Sequence, residues 1–158
     1  MTTTVITGTT NGIGLATARV LAQNQHRLLM LCRNLKAAEA VAREITKETS
    51  NSDIIPIFCD LSSLESVQNA TTLIRQEVDQ IDILINNAGI ISPDQQFSAD
   101  GFELTMAVNH LGPFLLTRSL ESLLYGGQVI NLASKAHLFC KASELLAETN
   151  FISAEPYA

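Results

Sequence analysis

A glycine-rich turn between an apolar run and a helical one constrains this chain more than any other feature. Thr7-Gly8-Thr9-Thr10-Asn11-Gly12-Ile13-Gly14 closes the β-branched run Thr3–Thr7 and opens a stretch with helical spacing over Gly12–Asn24. Ile13, Ala16, Val20 and Leu21 fall on one apolar side of that helix. Strand, turn and helix in this order give the glycines separate jobs. One permits the tight turn, one lets the backbone approach a pyrophosphate, and one lets the helix pack close to the strand. The helix start then offers free N–H groups and a partial positive charge to an anion. Gly8, Thr10, Asn11, Gly12, Ile13 and Gly14 are therefore candidate cradle residues. Spacing alone leaves open a tight turn that binds nothing.

The same alternation continues along the chain. Apolar runs at Arg27–Cys32, Ile54–Cys59, Ile81–Ile85 and Gly127–Leu132 alternate with helical stretches. The helices are Leu35–Thr49, Leu64–Asp79 behind a Ser62/Ser63 cap, and a long stretch Gly101–Leu124 interrupted at Gly112-Pro113. A βαβαβαβαβ order argues for a parallel sheet covered by helices on both faces. Strands apolar throughout fit burial on both sides, and right-handed crossovers wind the sheet both ways from its centre. The expected fold is α/β: a Rossmann-like doubly wound parallel sheet in one domain over 1–158. Lys135–Pro156 is the least regular segment.

Composition removes several function classes. The net charge is −6 and no Lys/Arg-rich run appears, which argues against nucleic acid. No apolar stretch reaches the roughly 20 residues a membrane helix needs, and a strand begins too early for a signal peptide. Three cysteines, Cys32, Cys59 and Cys140, fit no metal or C-x-x-C spacing and suit a reducing, cytoplasmic setting. No His/Cys/Asp cluster suggests a metal.

Thr7–Gly14 resembles the T-G-x-x-x-G-I-G fingerprint of the short-chain dehydrogenase/reductase family, and Asn86-Asn87-Ala88-Gly89 resembles its N-N-A-G motif. Cys32-Arg33-Asn34, Asp60-Leu61-Ser62-Ser63-Leu64, Asp100-Gly101-Phe102-Glu103 and Asn109-His110-Leu111-Gly112 are similar to the retinol-dehydrogenase-like branch. The resemblance implies an oxidoreductase that moves a hydride between a nicotinamide dinucleotide and a carbonyl or alcohol. An NAD enzyme places Asp or Glu about 20 residues after the glycine turn, on the ribose 2′-hydroxyl. Cys32 stands there instead and Arg33 follows. A guanidinium pairs with a 2′-phosphate, so NADP(H) is favoured over NAD(H), with Asn34 as a neutral donor. The resemblance puts Asp60 and the Leu61 backbone at the adenine. It also puts Asn87, Ala88 and Gly89 at the cofactor, with Asn86 near it and the Asn87 amide tying strands as well.

Hydride transfer needs a donor for the carbonyl oxygen and an acid/base of suitable pKa. Asn131-Leu132-Ala133-Ser134 resembles the family's N-V-S-S, with Ser134 polarising the substrate oxygen and Ala133 departing at the first serine. Tyr157 matches the acid/base, and Asn109 the asparagine that holds a water in the proton relay. His110 reads as a packing residue and His137 as a loop residue rather than bases. The family lysine that lowers the tyrosine pKa would fall just beyond Ala158. The resemblance thus covers the N-terminal part of the family fold, truncated after the fifth strand. The expectation is weak turnover by these 158 residues alone, within a homo-oligomeric parent enzyme. A non-catalytic dinucleotide-binding module is the alternative. Leu138, Phe139, Leu145, Leu146 and Phe151 hint at an apolar substrate.

Overall fold

The structure is a computed structural model that describes residues 1–134. Five strands are seen among them: β1 (Thr3–Thr7), β2 (Arg27–Cys32), β3 (Ile54–Phe58), β4 (Ile83–Asn86) and β5 (Gln128–Asn131). All pair in parallel, in the order β3-β2-β1-β4-β5. The chain runs outward from β1 to β3 on one side, then returns to start β4 on the other. The doubly wound parallel sheet expected from the alternation is the observed one.

Helices cover both faces. Val5, Leu29 and Leu84 share one register row and point to the face packed by α3 (Leu64–Glu77) through Val67, Ala70 and Ile74. Leu116 and Leu120 close the same cluster. Ile6, Met30 and Ile85 point the other way, against α1 (Gly12–Gln23) and α2 (Leu35–Thr49) through Ala18, Ala22, Ala42 and Ile45. Local caps fix two of the helix starts. Asn34 Oδ1 accepts from Ala37 N at 3.0 Å, and Ser63 Oγ accepts from Ser66 N at 3.2 Å.

Two expectations are corrected. The side of α1 that carries Ile13, Ala16 and Val20 faces solvent: Ile13 is 69% and Val20 55% exposed. The buried row is Gly14, Ala18 and Ala22. The cause is close approach: a Cβ at Gly14 would overlap Gly8 O and Asn87 Nδ2. Small residues seat the helix on the sheet and push the larger ones outward. The second correction concerns Gly101–Leu124. Helix begins only at α4 (Leu104–Met106), where Glu103 accepts from Thr105 N and Met106 N. It widens into a π segment over Ala107–Leu111 and passes through Gly112-Pro113 into α5 (Gly112–Ser119) without a break. The Gly112 N–H reaches Ala107 O, so the bonding ladder has shifted by one residue before the proline that cannot donate.

Candidate functional site

A cleft of about 420 Å³ opens at the carboxyl ends of β1, β2 and β4, where the strand order reverses. Open α/β sheets form their ligand crevice at this switch point. The glycine turn makes one wall. Gly8 (φ 73°) and Gly12 (φ 55°) hold left-handed conformations that side chains disfavour. A Cβ at Gly8 would stand 2.9 Å from Ala88 Cβ, whereas one at Gly12 would meet nothing within 4 Å. Gly8 is thus set by close packing, and Gly12 leaves open space above the turn. Thr10, Asn11, Ile13 and Gly14 line the cleft beside it.

The opposite wall is clamped to this one. Asn87 Nδ2 donates to Thr7 O at 2.8 Å and to Gly8 O at 3.1 Å. Thr7 Oγ1 accepts from Asn87 N at 3.0 Å and Ala88 N at 2.9 Å. Four bonds therefore fix the N-N-A-G corner against the glycine turn, and Asn87, Ala88 and Gly89 line the cleft. The expected strand tie by Asn87 is present. Thr7, which sequence reading passed over as a site residue, is its counterpart; its place at the head of the fingerprint was the available signal.

The α1 start differs from its neighbours. Asn34 caps α2 and Ser63 caps α3, but the Asn11 side chain accepts no bond from the first turn of α1. Those N–H groups face the cleft end of the helix with the positive end of its dipole, a set of donors suited to an anion.

At the outer end of the cleft, Cys32 is buried and its Sγ lies 3.1 Å from Thr9 Oγ1. Arg33 is exposed on the rim and, unlike Arg19, Arg27 and Arg118, has no carboxylate partner among the described residues. Asn34 lines the rim too, but its oxygen is committed to the α2 cap, leaving its NH₂ to donate. Asp60 and Leu61 line the far side. Asp60 Oδ1 accepts from Ser62 N at 2.9 Å and Ser62 Oγ at 2.7 Å, which holds the carboxylate in its turn. Cys59 lies beneath; burial first, then the Asp60 and Cys32 charges, push its thiol up to about 12. It is a packing residue rather than a nucleophile.

Asn109, Asn86, Ser134 and His110 are described but do not line the cleft. Asn109 lies in the π segment and both ends of its amide are taken: Oδ1 accepts from Ile90 N and Nδ2 donates to Ile90 O, each at 2.8 Å. Asn86 is not among the residues that line the cleft. It is buried and donates to Thr117 Oγ1 at 3.1 Å and Asn131 Oδ1 at 2.8 Å, joining α5 to β5. Asn86 is the last residue of β4, whereas the chain turns at Asn87, whose N–H also reaches Ile85 O at 3.1 Å, so the two amides meet different partners. Ser134 lies exposed just past β5. Tyr157, His137, Cys140 and the apolar Lys135–Pro156 loop fall outside the described residues. His110 stacks on Phe114 with ring centroids 6.4 Å apart. Among the described residues, no group of three His, Cys, Asp or Glu could hold a metal, and no helix is long and apolar enough to cross a membrane.

A profile of the short-chain dehydrogenases matches residues 2–143. The chain belongs to the short-chain dehydrogenase family. Human retinol dehydrogenase 13 is 40% identical over 139 residues, covering 86% of this chain and 42% of that protein. Mouse retinol dehydrogenase 12 is 39% identical, covering 97% of this chain and 50% of that protein. This short-chain dehydrogenase chain thus spans about half the length of the curated relatives it matches. Among solved structures, the short-chain dehydrogenase of Sphingobium yanoikuyae in complex with NADPH aligns with a TM-score of 0.74 at 25% identity. That match covers 92% of this chain and 57% of that one. An alcohol dehydrogenase from the archaeon Thermococcus sibiricus, complexed with 5-hydroxy-NADP, aligns at 0.71 with 28% identity, covering 82% and 56%.

Proposed function

We propose that this protein is an oxidoreductase that uses NADP(H), in preference to NAD(H), to interconvert a carbonyl and an alcohol on an apolar small molecule. One observation carries the reading: the uncapped first turn of α1 opens on the same cleft as Arg33, a rim cation without a carboxylate partner among the described residues. The dinucleotide, when bound, supplies or accepts the hydride. The chain's own residues bind and orient it. First-turn N–H groups and the Thr10 hydroxyl hold the pyrophosphate, and the open side of Gly12 admits it. Arg33 pairs with the 2′-phosphate, which an acidic residue there would repel. Asp60 keeps a carboxylate oxygen for the adenine amino group, held steady by Ser62.

Ser134 donates to the substrate oxygen, and the Tyr157 phenol gives or takes the proton. The Asn109 amide is spent on Ile90, so its main-chain carbonyl is the group left to hold a water for the relay. The NADPH and 5-hydroxy-NADP complexes of the structural relatives support the cofactor class. The retinol dehydrogenases support the substrate class.

Isothermal titration with NADPH and NADH tests the reading. NADPH should bind about tenfold tighter or more, and Arg33→Ala should bring the two close to parity, since one charge-assisted pair contributes about 1.5–3 kcal/mol. Equal affinity for both, or binding of neither, overturns it.

A further inference from the structure

We propose that Asn11 is a site of spontaneous deamidation, and that the resulting acid turns the glycine turn from an anion-binding site into an anion-repelling one. The second half rests on the dinucleotide reading above; the first does not.

Asn11 is the asparagine of this sequence that precedes a glycine. A glycine nitrogen carries no neighbouring side chain to hinder its attack on the preceding amide. Two other pairs in the chain carry related chemistry, Asn51-Ser52 and Asp100-Gly101, and in both the reacting groups are held in hydrogen bonds, the exposed Asp100 also through the 3.0 Å bond from Gly101 N to Ser98 O. Asn51 is buried, donates to His26 O at 2.8 Å and Ala22 O at 3.2 Å, and accepts from Asp53 N at 2.9 Å. Asp100 Oδ2 accepts from Leu64 N at 2.9 Å. Asn11 is exposed, and its side chain makes no hydrogen bond among the described residues. The open space around Gly12 leaves room for a ring.

The reaction balances with water as its co-reactant. The Gly12 nitrogen attacks Asn11 Cγ and an N–Cγ bond forms. The Cγ–Nδ2 bond breaks, and Nδ2 leaves as ammonia with the proton from Gly12. Water then opens the five-membered imide at either carbonyl, giving Asp or its β-linked isomer, with no change of oxidation state. Closure turns the Asn11 Cα–C bond away from its ψ of 176° and gives up the 3.1 Å bond from Leu15 N to Asn11 O. The step therefore runs from an opened first turn, and an anion that holds that turn closed slows it.

The product opposes the site in two ways. Aspartate is a strong N-cap and takes the first-turn N–H groups for itself. Its charge also faces the phosphates at close range. The β-linked isomer adds a backbone atom to the tightest part of the turn.

Peptide mapping by mass spectrometry after incubation at neutral and alkaline pH tests the modification. Conversion of the Asn11 peptide should rise with pH and slow under saturating NADPH. The Asn51 peptide should convert only once urea unfolds the protein. An Asn11 peptide unchanged in the folded protein, over a time in which it converts in urea, overturns the proposal. Asn11→Asp should weaken NADPH binding by about tenfold or more; binding equal to the unmodified protein overturns the switch. Failure of the unmodified protein to bind NADPH overturns both the switch and the functional reading, and the mass shift still decides the modification.

Discussion

Replacing Thr7 with valine tests whether one buried hydroxyl holds the two walls of the cleft together. The side chains have the same shape, and valine keeps the β-branching that suits a strand. What disappears is the Oγ1 that accepts from Asn87 N and Ala88 N at 3.0 and 2.9 Å. Thr7 itself is 1% exposed, so water cannot readily replace that oxygen. Each lost bond costs about 1 kcal/mol net, and more where the donor is left unpaired. Two such donors give a destabilisation of about 2–4 kcal/mol. For a chain of this size that corresponds to a fall in Tm of about 5–15 °C. Asn87 Nδ2 keeps its bonds to Thr7 O and Gly8 O, so the corner should loosen rather than detach. Urea unfolding followed by circular dichroism reads the effect, with Thr7→Ser as control. Serine keeps the acceptor and loses one methyl group, at about 1 kcal/mol. A Thr7→Val protein within about 0.5 kcal/mol of the original would refute the reasoning, because surface-like substitutions fall in that range.

Gly112→Ala should destabilise by about 1–3 kcal/mol despite the better helix propensity of alanine, because its Cβ would overlap the Leu61 carbonyl; a higher urea midpoint would contradict this. Cys59 should resist thiol reagents at pH 8 in the folded protein and react after unfolding, since its thiol is raised from 9.0 to about 12. The folded pKa is the higher one, so this group's contribution is complete below pH 9 and is lost as pH rises towards 12. The slope is about 1.4 kcal/mol per pH unit within that window. A Cys59→Ala protein should lose that alkaline slope in its urea midpoints, and an unchanged slope would place the proton elsewhere.

Features encoded over a few residues were legible in the sequence. Leu35–Thr49 has the helix bounds the periodicity predicts, because Asn34 caps its start and Ser50 ends it in a left-handed conformation. Ser63 announces α3 in the same way. The glycine turn and the alternation of apolar runs with helices fixed the parallel sheet, since each short strand needs a crossover before the next. The π segment was hidden, because Gly112-Pro113 reads as a break unless the ladder has already shifted. The buried side of α1 was hidden too. Hydrophobic spacing favoured Ile13 and Val20, but Gly14 wins because it must pass Gly8 O and Asn87 Nδ2.

The division between Asn86 and Asn87 has the same origin. Both are asparagines in one motif, yet one joins α5 to β5 and the other ties β4 to the glycine turn. Sequence by itself determined the order of elements, the turn that opens the cleft, and the cation placed on its rim, because caps, turns and periodicity act between near neighbours. Only the tertiary structure decided which helix side is buried and which amide faces which partner. Those choices depend on atoms of β1 and β4 that become neighbours only when the two strands pair.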